Sequence, residues 1–255
     1  RGRGDVYKRQ IYVMEGGDPG GGSGLFFTSA ELQPALTNAH AAGSRVHNNS
    51  WGSSAILHAL TSQAAYAANN GAEYTGWLTA AANGLVQVWS TGNAGTKQPS
   101  YRSGAPYYIP ELKDMWIAVG NVDSDLTEAS SNSRCGDAWE SCVMAPGSSI
   151  YSVGHSSDTA FSTKSGTSMA APHVSGMVAA LMSRFPGLTS KEIVQRVFGT
   201  ATYTGLKEYS TGTSRLATEM HEDERRRIFG RGRVQMVEAG KPVGGLSVVT
   251  GGTVK

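Results

Sequence analysis

The sequence has 255 residues, of which 39% are hydrophobic and 16% are charged, and it contains 33 glycines. This length suffices for one α/β domain with a substantial core, and low charge with many glycines is typical of an extracellular, loop-rich protein. A net charge of +2 gives no electrostatic basis for binding nucleic acid. No apolar stretch approaches the ~18 residues that a membrane span requires.

The first ten residues do not look like a native start. They include four Arg or Lys residues and no Met, and they resemble a translated sequencing adapter. We therefore predict that residues 1–10 are a non-native leader, and the predicted fold concerns the residues that follow it. A short basic tail is the alternative interpretation, and it would not change the functional hypothesis.

Predicted helices and strands alternate along the first half of the chain. A capping-box pattern at residues 28–31 starts a helix that runs towards Gly43, and a strand follows over residues 44–50. The alanine-rich segment 55–70 has apolar residues at helical spacing, and a second helical piece falls within residues 77–82. Short apolar runs bounded by turn residues predict buried parallel strands at residues 85–89, 115–119 and 142–144.

The second half of the chain adds two clear helices. The helix after Ser168 is apolar nearly all round and is predicted to be central and buried, and Thr189 to Glu192 form a capping box that starts the next helix. The charge run at residues 221–227 is predicted to be a solvated excursion. Strands that alternate with helices indicate an α/β fold with a parallel sheet covered on both faces.

The run at residues 165–174, SGTSMAAPHV, is the most specific chemical signal in the sequence. It places Ser168 between a glycine turn and an apolar helix, where backbone N–H groups and the helix dipole favour a developing negative charge. A lone Gly-x-Ser is usually only a helix cap. The full run, however, resembles the nucleophile segment of the subtilases, the subtilisin-like serine proteases, and it is not the Gly-x-Ser-x-Gly elbow of α/β-hydrolases.

Two further segments resemble parts of the subtilase cleft. Residues 90–95 resemble the segment that binds the oxyanion, which implies that Asn93 stabilises that charge and that Thr91 and Gly92 line the site together with Thr167. Residues 46–52 resemble the strand that pairs with the substrate backbone and forms a wall of the pocket for the residue before the scissile bond. By that resemblance the cleft is lined by Ser50, Trp51 and Gly52. Taken alone, Asn93 would be a turn residue, and core packing is the alternative interpretation of Trp51.

The two cysteines, Cys135 and Cys142, are spaced for a small disulfide hairpin, with two buried thiols as the alternative. Their loop resembles the cysteine-bearing loop of autotransporter subtilases, which are surface proteases of Gram-negative bacteria. Residues 229–244 resemble the end of the same catalytic domain. The resemblance thus covers residues 11–244, and residues 245–255 are predicted to begin a linker or a further β region.

The resemblance does not extend to the whole catalytic triad. A subtilase triad follows the order Asp, His, Ser, with the Asp in a strand ending in Asp-x-Gly and the His in a His-Gly-Thr-His helix start. Neither block is recognised here, and none of the six histidines is followed by Gly-Thr. We therefore predict an N-terminally truncated catalytic domain of three-layer, subtilisin-like α/β fold, lacking its N-terminal strands and poorly stable in isolation. A cooperative thermal transition would contradict the predicted instability.

The resemblance implies a serine endopeptidase that acts on extended protein or peptide substrates, is inactive as this piece, and is secreted or on the Gram-negative cell surface. Membrane attachment would depend on an outer-membrane domain downstream. No carboxylate cluster has convincing ligand spacing, so we predict neither a metal nor a cofactor. One alternative is a non-catalytic, subtilase-like peptide-binding module. Another is a different serine hydrolase, which would need a downstream histidine such as His221.

Overall fold

The computed structural model describes residues 29–154, 157 and 159–242, and within them the central feature is a four-stranded parallel sheet. Its spatial order is β1-β2-β3-β4, the same as the chain order. Parallel neighbours require crossover connections, and here these are the helical and loop segments predicted between the strands. The strands are β1 (Val46–Asn49), β2 (Val86–Ser90), β3 (Trp116–Val122) and β4 (Cys142–Pro146).

Seven helices and a hairpin surround this sheet in the described part of the chain. The hairpin consists of the antiparallel strands β5 (Ile150–Val153) and β6 (Phe161–Lys164). None of the described helices is long and apolar enough to cross a membrane. The helices are α1 (Ser29–Ala41), α2 (Gln63–Asn70), α3 (Ala72–Ala82), α4 (Thr167–Arg184), α5 (Ser190–Gly199), α6 (Glu222–Phe229) and α7 (Met236–Ala239).

The central strands are buried on both faces, which explains their continuous apolar sequence. Side chains alternate along each strand, so Val88 and Ile117 pack under α4 and α5 while Trp89 and Trp116 pack towards α3. The rings of Trp89 and Trp116 stack at a centroid distance of 5.2 Å. The result is three layers, with α4, α5 and α7 on one face and α1, α2, α3 and α6 on the other. The predicted three-layer α/β architecture is confirmed.

The predicted helix over residues 55–70 is wrong in its first half. Residues Leu57–Ala59 form only a short 3₁₀ turn, and α2 begins after Ser62, whose hydroxyl accepts a hydrogen bond from the Ala65 N–H at 3.1 Å. The preceding segment bonds to a distant loop instead, because the Leu57 N–H donates to the Pro99 carbonyl at 2.9 Å. Helix α3 is correspondingly longer at its start than the predicted piece at residues 77–82.

The charge run at residues 221–227 is a helix rather than an irregular excursion. Acidic residues occupy the first turn of α6 and basic residues the last, which complements the helix dipole. Ile228 and Phe229 then bury their side chains against the disulfide region. The prediction of solvation holds for the charged residues, whereas the two apolar residues that follow them anchor the helix.

The predicted disulfide between Cys135 and Cys142 is present, with a Cα–Cα distance of 5.8 Å, so the alternative of two free thiols is wrong. The capping box of Thr189 and Glu192 and the buried helix after Ser168 are also confirmed. Residues 1–10 and 245–255, Thr28 and His155 lie outside the described residues. The predictions for the two terminal segments and for the start of the first helix therefore stay predictions.

Candidate active site

Ser168 is the second residue of α4 and is half-buried at the carboxyl ends of the strands. The preceding Gly166 has φ +144°, a conformation that side chains with a Cβ rarely adopt. A Cβ placed on Gly166 would lie 3.1 Å from the Asn93 Nδ2 atom. The glycine therefore permits the turn and also leaves room for the asparagine beside it.

Asn93 follows β2 and is held in place through its oxygen. The Asn93 Oδ1 atom accepts hydrogen bonds from the Thr167 N–H at 2.9 Å and from the Thr167 hydroxyl at 3.0 Å. The Gly92 N–H donates to the same Thr167 hydroxyl at 3.2 Å. Thr167 is completely buried, so it holds the end of β2 and the start of α4 in a fixed position relative to each other.

This arrangement directs the Asn93 Nδ2 atom away from Thr167. Within the described residues neither Nδ2 nor the Ser168 N–H has a hydrogen-bond partner, and the second N–H of a helix has no intrahelical acceptor. Two donors without an acceptor, next to a hydroxyl at a helix N-terminus, form a site that can accommodate a developing oxyanion.

Ser50 connects β1 directly to the nucleophile turn. The Ser50 hydroxyl donates to the Ser168 carbonyl at 2.8 Å, and it accepts from the Asn48 Nδ2 atom at 2.8 Å. The Asn48 side-chain oxygen accepts in turn a hydrogen bond at 2.9 Å from the hydroxyl of Ser175, which lies further along α4. This chain of bonds was not foreseen from the sequence, because its members are separated by more than a hundred residues.

The remaining predicted cleft residues differ in exposure. Trp51 is half-buried with its ring 5.0 Å from that of Trp89, and the Arg102 guanidinium lies 5.2 Å from the Trp51 ring centroid. Gly52 is exposed beside Ser100. The backbone N–H of Thr91 donates to the Val119 carbonyl at 3.1 Å and its hydroxyl donates to the same oxygen at 3.3 Å.

The polar groups of Thr91 and Thr167 thus form hydrogen bonds within the protein. Contact of these two residues with a substrate stays a prediction. Gly92, at φ +117°, would bring a Cβ within 3.2 Å of the Ser133 hydroxyl, so the tight turn itself explains the glycine. These residues shape the position of Asn93 whether or not they touch a ligand.

No described histidine forms a hydrogen bond with the Ser168 hydroxyl, which has no hydrogen-bond partner among the described residues. His47 lies on the sheet face opposite α4 and contacts Gln87 at 3.0 Å, and burial lowers its pKa despite that hydrogen bond. The His173 ring bonds to the Met169 carbonyl at 2.9 Å. His221 caps α6 and is exposed. A serine hydrolase that used His221 as its base therefore receives no support from this geometry.

A histidine–carboxylate pair that lies away from Ser168 was not predicted from the sequence. His58 lies 2.8 Å from the Asp137 carboxylate and 2.9 Å from the Tyr108 hydroxyl, and Gln98 donates to the same carboxylate at 2.8 Å. Burial acts to raise the pKa of Asp137, but the hydrogen bonds from His58 and Gln98 and the charge of Arg227 outweigh it and lower that pKa. The pair joins loops distant in sequence and gave no local signal.

The model of the subtilase family matches residues 2–232 of this chain. An extracellular serine protease of Serratia marcescens is 35% identical over 183 residues, which are 64% of this chain and 16% of that protein. Subtilisin DY of Bacillus licheniformis is 40% identical over 124 residues, which are 49% of this chain and 42% of that protein. The matched segments thus span less than half the length of these curated relatives.

Solved structures support the fold. The prenylagaramide maturation protease PagA superimposes with a TM-score of 0.64 at 18% identity, over 86% of this chain and 68% of that one. The patellamide maturation protease PatA gives a TM-score of 0.63 at 21% identity, over 84% and 68%. At these identities the likeness concerns the fold alone. Together with the family match over nearly the whole sequence, it establishes that this chain belongs to the subtilase family of serine peptidases.

Proposed function

We propose that this chain carries the nucleophile and the oxyanion site of a serine endopeptidase. Ser168 Oγ attacks the peptide carbonyl carbon, the carbonyl π electrons move to the oxygen, and collapse of that intermediate expels the amine and leaves an acyl-enzyme. The Asn93 Nδ2 group and the Ser168 N–H stabilise the oxyanion. The observation that carries the proposal is the double hydrogen bond from Thr167 to the Asn93 oxygen, because it fixes which end of the amide is available.

A general base must take the Ser168 hydroxyl proton during attack and return it to the leaving amine, and we propose that this base is an imidazole from another part of the protein. Serine is a weak nucleophile without an adjacent base, and the rings of His47 and His173 bond to groups other than Ser168 Oγ. We therefore propose that the His and Asp of the triad belong to a preceding part of the protein, and that this chain alone retains the contributions of the oxyanion site and binding. In subtilases these residual contributions accelerate the reaction ~10³–10⁴-fold over the rate in water.

The substrate of the proposed enzyme is a polypeptide in extended conformation. Ser50, Trp51 and Gly52 follow the carboxyl end of β1, and the Ser50 hydroxyl bonds to the Ser168 carbonyl, so a peptide whose backbone pairs with this segment reaches Ser168. The similarity to an extracellular protease supports the further proposal that the protein is secreted, and the cysteine loop supports a Gram-negative cell surface.

Covalent modification of Ser168, by phosphonylation or by acylation, is the direct test. The chain is incubated with a fluorophosphonate and, separately, with a p-nitrophenyl ester, and the modified residue is located by peptide mass spectrometry. We expect modification at Ser168, none in Ser168→Ala, and a rate reduced ~10²–10³-fold in Asn93→Ala, the loss known for such donors in this family. Modification at other serines with equal efficiency would contradict the proposal.

The alternative function is peptide binding without catalysis. It is favoured by one observation, namely that no imidazole of the described residues contacts the Ser168 hydroxyl. In that case the chain would bind extended peptides with an affinity unchanged by Ser168→Ala, and no acylation would be detected at any reagent concentration.

A further inference from the structure

The hairpin of β5 and β6 presents an apolar face to solvent. The side chains of Tyr151, Val153 and Phe161 are 69%, 76% and 58% exposed. The register pairs Val153 with Phe161, and Tyr151 lies two residues from Val153, so all three project from one face, which we call the hairpin face. The rings of Tyr151 and Phe161 stack with centroids 5.4 Å apart and planes at 16°. Exposed aromatic clusters of this kind mark interaction surfaces.

The base of the hairpin is fixed to the nucleophile turn. The Gly166 N–H donates to the Gly147 carbonyl at 2.8 Å, and the Ser149 N–H donates to the Ser165 hydroxyl at 2.8 Å. Gly147 itself is packed tightly, since a Cβ there would come within 2.5 Å of the Asn121 Oδ1 atom. The base of the hairpin therefore has a defined position relative to Ser168.

The hairpin and the predicted peptide-binding residues lie on opposite sides of Ser168. Ser50 follows β1 at one edge of the sheet and bonds to Ser168. The hairpin follows β4 at the other edge, and its first turn bonds to Asn121 of β3 through the Ser148 hydroxyl at 3.1 Å. A peptide that runs from Ser50 across Ser168 in extended form therefore continues towards the hairpin.

We propose that the hairpin face binds apolar side chains of the substrate segment on the amine side of the scissile bond. This inference rests on the proposed function of Ser168. Phe161 precedes Ser168 by about seven residues, so at ~3.4 Å per residue it lies within ~24 Å of it, a distance that about seven extended substrate residues span. Both outer edges of the hairpin are unpaired among the described residues, and this allows backbone pairing as well.

The size of the hairpin face favours a peptide over a second copy of this chain. Large aromatic side chains bury about 150–250 Å² each, so three side chains supply only a fraction of the ~1,200 Å² that stable protein interfaces bury. The opposite face of the hairpin carries Ser152, Ser162 and Lys164 together with the half-buried Ile150, so no exposed apolar cluster continues around the hairpin. A narrow apolar strip fits alternate side chains of one extended strand.

Peptide binding to the full 255-residue chain tests the proposal independently of catalysis. Two fluorescein-labelled octapeptide amides serve as probes, one with alternating Leu and Phe at its third to sixth positions and one with Ser at those positions. Fluorescence anisotropy gives Kd for the parent chain, for Tyr151→Ser/Phe161→Ser, and for the matched control Tyr209→Ser/Val237→Ser, which removes one exposed aromatic and one exposed aliphatic side chain elsewhere.

We expect the parent and the control to bind the apolar probe at least tenfold more tightly than the serine probe, and the hairpin variant to lose that preference. Equal preference in all three proteins would overturn the proposal. So would a concentration-dependent dimer in sedimentation velocity that only the hairpin variant abolishes, since the occupant would then be a second copy. Failure of Ser168 acylation concerns the proposed function alone and leaves the binding result interpretable.

Discussion

The hydroxyl of Ser50 donates a hydrogen bond to the carbonyl oxygen of Ser168 at 2.8 Å, although the two residues are 118 positions apart. The bond ties the end of β1 to the first turn of α4. It therefore gives the backbone of the nucleophile a second point of attachment besides Asn93, which reaches the same turn through Thr167.

Replacement of Ser50 by Ala should loosen this turn. A typical hydrogen bond contributes about 1 kcal/mol net, so we expect the acylation rate of Ser168 to fall about fivefold and the free energy of unfolding to fall by about 1 kcal/mol. Rates of acylation by the p-nitrophenyl ester and urea unfolding curves provide the two measurements. Ser53→Ala is the control, because its hydroxyl accepts only from the nearby Ala55 N–H. Equal rates in parent and Ser50→Ala would contradict a role in positioning.

Thr167→Val should affect acylation more than it affects ester binding. The change deprives the Gly92 N–H of its acceptor and removes one of the two bonds to Asn93, at a cost of about 1–3 kcal/mol in stability. We expect the maximal acylation rate to fall about tenfold while the half-saturating ester concentration stays constant. Thr167→Ser, which keeps the hydroxyl, should restore the rate. If Thr167→Ser does not restore the maximal acylation rate, the role of Thr167 is in packing only.

The disulfide between Cys135 and Cys142 should stabilise the domain. Its closed loop carries Asp137, and both sulfur atoms are buried against Phe229 of α6. We expect Cys135→Ser/Cys142→Ser to lower the free energy of unfolding by about 2–4 kcal/mol, measured by urea denaturation. The parent in reducing agent should give a similar loss. An unchanged unfolding midpoint in both experiments would show that α6 packs independently of the bridge.

Asp137 should make the domain less stable in acid. Its pKa is lowered in the folded state, so its stabilising contribution is present above the ordinary pKa of the carboxyl and is lost as pH falls through the folded value. We expect the difference in unfolding free energy between parent and Asp137→Asn to shrink as pH falls from about 6 to about 3. Subtraction of the two curves removes the contribution of other carboxylates. A difference that is constant with pH would contradict this assignment.

Local sequence patterns were sufficient for the parts of the fold with short-range causes. The strands at residues 86–90 and 116–122 are runs of apolar residues because both of their faces are buried, and the capping box at Thr189 is closed by residues three apart. The helix over residues 55–62 was predicted wrongly because its donors and acceptors bond to residues 99–101, which no local pattern reveals.

By itself, the sequence determined the family, the α/β class, the disulfide partners and the identity of Ser168 and Asn93 as candidates, since each depends on a contiguous motif or on a choice among few residues. Only the tertiary structure decided that Thr167 orients Asn93, that Ser50 holds the Ser168 carbonyl, and that no described histidine hydrogen-bonds to the Ser168 hydroxyl. The physical reason is that these features are hydrogen bonds between side chains and backbone groups brought together by the parallel sheet, whose strands end side by side although they are remote along the chain.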